Sequence, residues 1–114
     1  MRDGLFCKMI AREIPVKPVF EDPDLLVIAD INPQAPLHVL LIPKIHIATL
    51  NDLDLEHDAL VGSMFRQAAT IAKEHGYAEF GFRTVFNTNH DAGQSVFHIH
   101  LHLLAGRTLA WPPG

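Results

Sequence analysis

The stretch Val96-Phe97-His98-Ile99-His100-Leu101-His102-Leu103-Leu104 places a histidine at every second position from 98 to 102, with an apolar residue between each pair. Successive side chains of a strand point to opposite faces, so this order predicts one β-strand over 96–104. His98, His100 and His102 then share one face, and Phe97, Ile99, Leu101 and Leu103 the other. Same-face neighbours stand ~6–7 Å apart, the rise of two strand residues. Core packing does not call for three imidazoles in a row, because histidine is only intermediate in its preference for burial. Near neutral pH such a face can be uncharged, cationic or metal-binding.

Outward from this stretch the chain keeps a strand-rich pattern. The segment NTNHDAGQS (87–95) reads as a loop, and 82–86 before it as a further strand. Residues 55–75 are the strongest helix: Leu60, Met64, Ala68 and Ile71 recur at helical spacing, with Val61, Phe65 and Ala72 flanking them. Asp54 suits its N-cap and Gly76 its C-terminal stop, while Gly62 weakens it by about 1 kcal/mol relative to Ala. Residues 38–42 form a strand stopped by Pro43. The stretch 16–33 reads as two strand segments around the turn Asp22-Pro23-Asp24, the second being the apolar run 25–29. Residues 5–13 suit a short amphipathic helix ending before Pro15, with Leu5, Met9 and Arg12 a turn apart and Phe6 and Ile10 alongside. Strands dominate without βαβ alternation, so the expected class is α+β with an antiparallel sheet.

The histidine face admits two chemistries. Zinc is commonly held by alternate histidines of a strand together with a ligand from elsewhere. A neutral imidazole can instead attack an electrophile and form a covalent intermediate. Gly93-Gln94-Ser95, just before the strand, offers backbone N–H groups and a hydroxyl, and glycine lets backbone approach an anion closely. An anion cradle beside uncharged nucleophilic nitrogens favours a phosphoryl or nucleotidyl substrate, with no metal required.

Composition narrows the class further. The 114 residues are 48% hydrophobic and 19% charged, which excludes a disordered chain and predicts a single domain over 1–114. A net charge of -4 leaves no basic patch for a nucleic-acid polymer. The lone cysteine, Cys7, excludes an internal disulfide framework and any multi-cysteine metal site within one chain. No apolar run reaches the ~20 residues of a membrane span, and the charges of MRDGLFCKMIARE are wrong for a signal peptide. A cytoplasmic protein without membrane contact is expected. Histidine is the anomaly, eight in 114 residues.

GQSVFHIHLHLLAGR (93–107) followed by WPPG (111–114) resembles the signature of the histidine triad (HIT) superfamily, in its Hint branch of nucleotide-binding purine nucleoside phosphoramidases. LFCKMIAREIP (5–15) and DINPQAPLHVLLIPKIH (30–46) resemble the corresponding family segments in order and spacing, so the likeness covers nearly the whole chain. It implies a five-stranded antiparallel sheet with one short and one long helix, dimerising into a continuous sheet. It implies a hydrolase that cleaves purine nucleoside 5′-phosphoramidates and acyl-nucleotide mixed anhydrides through a nucleotidyl-histidine intermediate, without a cofactor. A dinucleoside polyphosphate hydrolase, a regulatory nucleotide-binding module and a zinc hydrolase are the alternatives.

Residue by residue, the resemblance makes His100 the nucleophile, with its Nδ1–H on the carbonyl of His98. His102 contacts phosphate oxygens, His38 supports the site by hydrogen bonding, and Ser95 donates to the leaving group. Gly93, Gln94 and Asn87 hold the phosphate, and Asp30 accepts from the ribose hydroxyls. Leu5, Phe6, Met9, Ile28 and Ile31 wall the purine pocket. Read without the resemblance, Asp30 is a turn residue and Leu5, Phe6 and Met9 are helix core. His46 reads as structural or surface, and His57, His75 and His90 as solvated. Some relatives carry a C-x-x-C pair for a structural zinc; here Gly4 stands three before Cys7 and breaks it, so no metal is expected.

Overall fold

The computed structural model describes residues 4–114. Arg2 and Asp3, whose charges entered the argument against a signal peptide, lie outside the described residues. Five strands form one antiparallel sheet: β1 (Phe20–Glu21), β2 (Leu25–Ala29), β3 (Leu37–Pro43), β4 (Phe82–Val85) and β5 (Leu101–Ala105). Their order is β1-β2-β3-β5-β4, which leaves β1 and β4 as edges. Two α-helices accompany them, α1 (Leu5–Ile10) and α2 (Asp58–Glu74). The architecture is thus α+β with the expected sheet and helices.

Turn chemistry sets the first hairpin. The carboxylate of Asp22 accepts from the N–H groups of Asp24 and Leu25 at 2.8 and 2.7 Å, closing the β1–β2 turn. The central strand β3 is buried along its whole length, because both faces of the sheet are covered there. On one face Val27, Val39, Leu41, Leu101 and Leu103 pack with Met64, Ala68 and Ile71 of α2. On the other, Leu26, Ile28, Leu40 and Ile42 pack with Phe6 of α1.

The long helix begins later than its apolar period predicts. Asp54 heads a single 3-10 turn, Leu55–His57, in which the Asp54 N–H donates to His57 Nδ1 at 3.1 Å, and α2 proper follows. Gly76 ends it in the left-handed region, φ +85, with Tyr77 N–H bonded back to Ala72 O at 2.8 Å. The first helix is shorter than 5–13, since Arg12 turns to φ +60 after Ile10. Its buried side chain is Phe6, whereas Leu5 is half exposed.

The largest departure lies in the histidine stretch. The strand expected over 96–104 begins only at Leu101. In the β3–β5 register Leu41 faces Leu101, so Pro43 comes opposite Ile99 and has no N–H to continue the ladder. The Ile99 N–H instead donates to Ile47 O at 2.7 Å, and Val96–His98 bends away from the sheet. Among the described residues no helix is long and apolar enough to cross a membrane.

Candidate active site

Sheet register brings distant histidines together. His38 of β3 stands opposite Leu104, and His102 of β5 opposite Leu40. The two are therefore diagonal neighbours on one face, close enough for side chains to meet. Their rings do meet, His38 Nε2 lying 2.9 Å from His102 Nδ1. His100, one step before β5, keeps the alternation and sets its ring centroid 5.1 Å from that of His102, the planes tilted by 52°. Phe6 of α1 sets its ring edge-on to His98 and His100, at 5.9 and 5.0 Å.

Backbone groups assign the protons of these imidazoles. His98 donates Nε2–H to Pro43 O at 2.7 Å, the carbonyl of the proline that stops the ladder. Its Nδ1 faces the Cys7 thiol, with Sγ 3.6 Å away. His100 donates Nδ1–H to His98 O at 2.9 Å, which leaves the Nε2 lone pair as its nucleophilic position. Burial pushes His98 and His100 below the ordinary histidine range. At His100 the bond to His98 O and the charge of Asp30 oppose that shift without reversing it. His102 is taken down to about 4, by burial first and then by its neighbours His100 and His38. At neutral pH these three rings are uncharged.

A cavity of about 310 Å³ opens in front of them. Its wall contains His100 and His102 together with Leu5, Phe6, Met9, Ile28, Asp30, Ile31, Asn87, Gly93, Gln94 and Ser95, residues that are far apart in sequence. Ala29, Leu40 and Val96 complete it; no motif singled them out, although Leu40 alternates with His38 and is legible as the same face. Ile31 is fully exposed at the rim. His98 and His38 lie behind the wall, both buried.

The loop that carries Gly93 and Gln94, from which the phosphate cradle is expected, is hydrogen-bonded within itself. The Gly93 N–H donates to His90 O and the Gln94 N–H to Asn89 O, both at 3.0 Å, inside the loop's own 3-10 turn. The Gln94 side chain is likewise committed. Its Oε1 accepts from Asn89 N–H at 2.8 Å, and its Nε2 donates to Ala48 O at 2.8 Å and Val96 O at 3.1 Å. Gln94 thus ties the loop down, and the exposed Ser95 and half-buried Asn87 are the polar side chains this loop turns toward the cavity. Asp30 lies on the cavity wall and makes the turn its position predicts. One carboxylate oxygen accepts from Asn32 N–H at 2.9 Å, as in a turn, and the other stands 3.4 Å from His38 Nε2.

Among the described residues, two groups bring ligand atoms within 4.8 Å of one another: Asp30, His38 and His102, and the surface set Asp54, Glu56 and His57. His98, His100 and His102 do not form such a set. In the first group, the two nitrogens are hydrogen-bonded to each other. His46 ties the bend before β5 to the β3 side, Nε2–H donating to Phe97 O at 2.8 Å. His75 and His90 are exposed as expected, whereas His57 is half buried in the turn it closes.

Residues 3–109 match the family described as the scavenger mRNA decapping enzyme C-terminal binding domain. The chain is 50% identical over 107 residues to the purine nucleoside phosphoramidase of Escherichia coli, covering 94% of this chain and 90% of that one. A crystal structure of a HIT family hydrolase from Legionella pneumophila superposes with a TM-score of 0.96 at 50% identity, over 98% of this chain and all of that one. A histidine triad protein from Clostridium difficile gives 0.90 at 40% identity, over 96% of each chain. With alternate histidines in front of one cavity, and half its residues shared with such relatives over nearly their full length, this chain belongs to the histidine triad family of hydrolases.

Proposed function

We propose that the protein is a purine nucleoside phosphoramidase of the Hint branch, with His100 as its nucleophile. The observation that carries this reading is the unpaired Nε2 of a neutral His100 on the cavity wall, its Nδ1–H anchored on His98 O. Attack by Nε2 on the phosphorus forms the P–N bond to histidine and breaks the P–N bond to the leaving amine. Ser95 donates a hydrogen bond to the leaving nitrogen, and the amine takes up a proton from solvent that the attacking water gives back in the second step. The adduct is an imidazolium whose Nδ1–H rests on the His98 carbonyl, so its positive charge meets the negative end of a fixed dipole. Water then attacks the same phosphorus, the histidine leaves as neutral imidazole, and a nucleoside monophosphate is released. Splitting the exchange into two steps lowers both barriers. His38 supports His102, and His102 binds phosphate oxygens; Asn87 and Ser95 hold the phosphate beside them, with Gly93 and Gln94 shaping the loop. Asp30 takes the ribose hydroxyls on the oxygen that the turn does not use, and Leu5, Phe6, Met9, Ile28 and Ile31 wall the base.

The chemistry needs no cofactor and no metal. A cavity of about 310 Å³ suits one nucleotide unit better than the two of a dinucleoside polyphosphate. The active form is a homodimer in the cytoplasm, its two sheets joined at an edge; β4 offers an unpaired edge, and an unpaired edge is a template for another strand. Side-by-side rates for an adenosine 5′-phosphoramidate and a diadenosine polyphosphate test the reading. The phosphoramidate should turn over faster, and quenched enzyme should carry a nucleoside monophosphate mass on His100. A faster diadenosine polyphosphate, or an adduct on another residue, overturns it.

A further inference from the structure

Gln34, in the loop before β3, is held on both sides of its α-carbon. Its N–H donates to His38 Nδ1 at 3.0 Å, and its carbonyl accepts from Arg107 Nε at 2.8 Å. Arg107 itself lies just beyond β5, where its Nη1 also donates to Thr108 O at 2.9 Å. Next to it, Gly106 runs so close to the loop that an added Cβ would stand 2.8 Å from Pro36 Cβ. The end of β5 therefore clamps the loop that carries Gln34.

The Gln34 N–H has a consequence two residues away in space. A nitrogen that accepts a hydrogen bond carries no proton, so neutral His38 must hold its single proton on Nε2. That proton faces two acceptors, His102 Nδ1 at 2.9 Å and an Asp30 carboxylate oxygen at 3.4 Å, and the nearer one, His102 Nδ1, takes the hydrogen bond. His102 is then left with its own proton on Nε2 and presents an N–H to the cavity. If the Gln34 N–H were withdrawn, His38 could carry its proton on Nδ1 and accept at Nε2. His102 would then donate from Nδ1, and its Nε2 would turn a lone pair toward the phosphate oxygens. Because His102 is uncharged at neutral pH, it has only one proton to place.

We propose that Arg107 is a positioning residue: by gripping the Gln34 carbonyl it holds the Gln34 N–H on His38, and so fixes His102 in the tautomer that offers Nε2–H to the substrate phosphate. The relay rests on hydrogen-bond geometry and on an uncharged His102, while its effect on turnover rests on the phosphoramidase reading above. Two readouts separate them. Long-range 1H–15N correlation reports which nitrogen of His102 is protonated, and kcat and KM are measured on adenosine 5′-phosphoramidate. Wild type should show His102 protonated at Nε2. Arg107→Ala should mix the two tautomers and lower kcat about tenfold with KM nearly unchanged, less than the roughly 10²-fold cost of deleting an anion-binding donor outright. Arg107→Lys, which keeps one donor within reach of the carbonyl, should restore both signals. Gln34→Pro, which removes the N–H itself, should shift the tautomer further than Arg107→Ala. A wild-type His102 protonated at Nδ1 overturns the relay, as does a loss of kcat in Arg107→Ala with the His102 pattern unmoved. An intact pattern that responds to both variants, in a protein that does not cleave the phosphoramidate, supports the relay and overturns the phosphoramidase reading.

Discussion

The two faces of the sheet are made by the same strands and follow different rules. Toward α2, Val39, Leu41, Leu101 and Leu103 meet Met64, Ala68 and Ile71, and any side chain of similar shape would serve. Toward the cavity, the intervening positions carry His38, Leu40, His100 and His102. There each imidazole has a specific partner at a specific nitrogen. The first face holds the strands together through buried area. The second uses the rigidity so obtained to keep polar groups buried, uncharged and aimed. The chemistry is thus confined to one side of the sheet, where Leu26, Ile28, Leu40 and Ile42 also pack with Phe6, and substitutions on either side test how far the other side is independent of it.

The sharpest separation is expected from His100→Ala. Loss of the nucleophile should lower turnover by about 10⁴-fold or more, while nucleoside monophosphate affinity and thermal midpoint stay near wild type. Kinetics alongside calorimetric titration checks this, and a mutant that keeps more than a few per cent of activity would blur the division. Ile71→Ala on the opposite face should do the reverse. It empties part of a fully buried site and should cost about 2–5 kcal/mol in denaturant titration, with kcat preserved wherever the protein stays folded.

The cavity face does contribute to stability, through pH. The pKa of His102 is 6.5 in an unfolded chain and about 4 in the fold. Between those values the unfolded chain binds a proton that the folded one refuses. Stability is therefore full above about pH 6.5 and falls by on the order of 3 kcal/mol as pH drops to about 4. His98 and His100 are shifted the same way and steepen the fall. Denaturation midpoints across this range should show it, and His102→Asn should flatten the curve; an unchanged slope means that burial is not what keeps His102 neutral. The smallest effect is expected at Asp30. Asp30→Asn should weaken ribonucleotides about tenfold while leaving 2′,3′-dideoxy analogues nearly unaffected, since a hydrogen bond to a charged group is worth about 1.5–3 kcal/mol. Equal losses would reduce Asp30 to the turn it makes with Asn32.

Much of this was legible before any coordinates. Period-two alternation identified the histidine face, period 3.6 identified α2, and Asp22-Pro23-Asp24 marked the first hairpin, because each is a local rule acting on neighbours in the chain. The motif resemblance assembled the cavity residues from scattered segments. It named Gln94 but not the bonds that hold the loop, since an amide's partners depend on which carbonyls the fold places around it, here Ala48 and Val96.

By itself the sequence determined the element types, the α+β class and the two opposed faces, all of which follow from how side chains alternate along a backbone of known geometry. Only the tertiary structure decided where the ladder stops and which partners the nitrogens of His38, His98 and His102 meet. Pro43 ends the pairing at Leu101 because the register sets it opposite Ile99, and its freed carbonyl then takes the His98 N–H. His38 and His102, 64 positions apart, become diagonal neighbours only once β3 and β5 pair. A tautomer is a property of partners in space, and those partners exist only after the chain has closed upon itself.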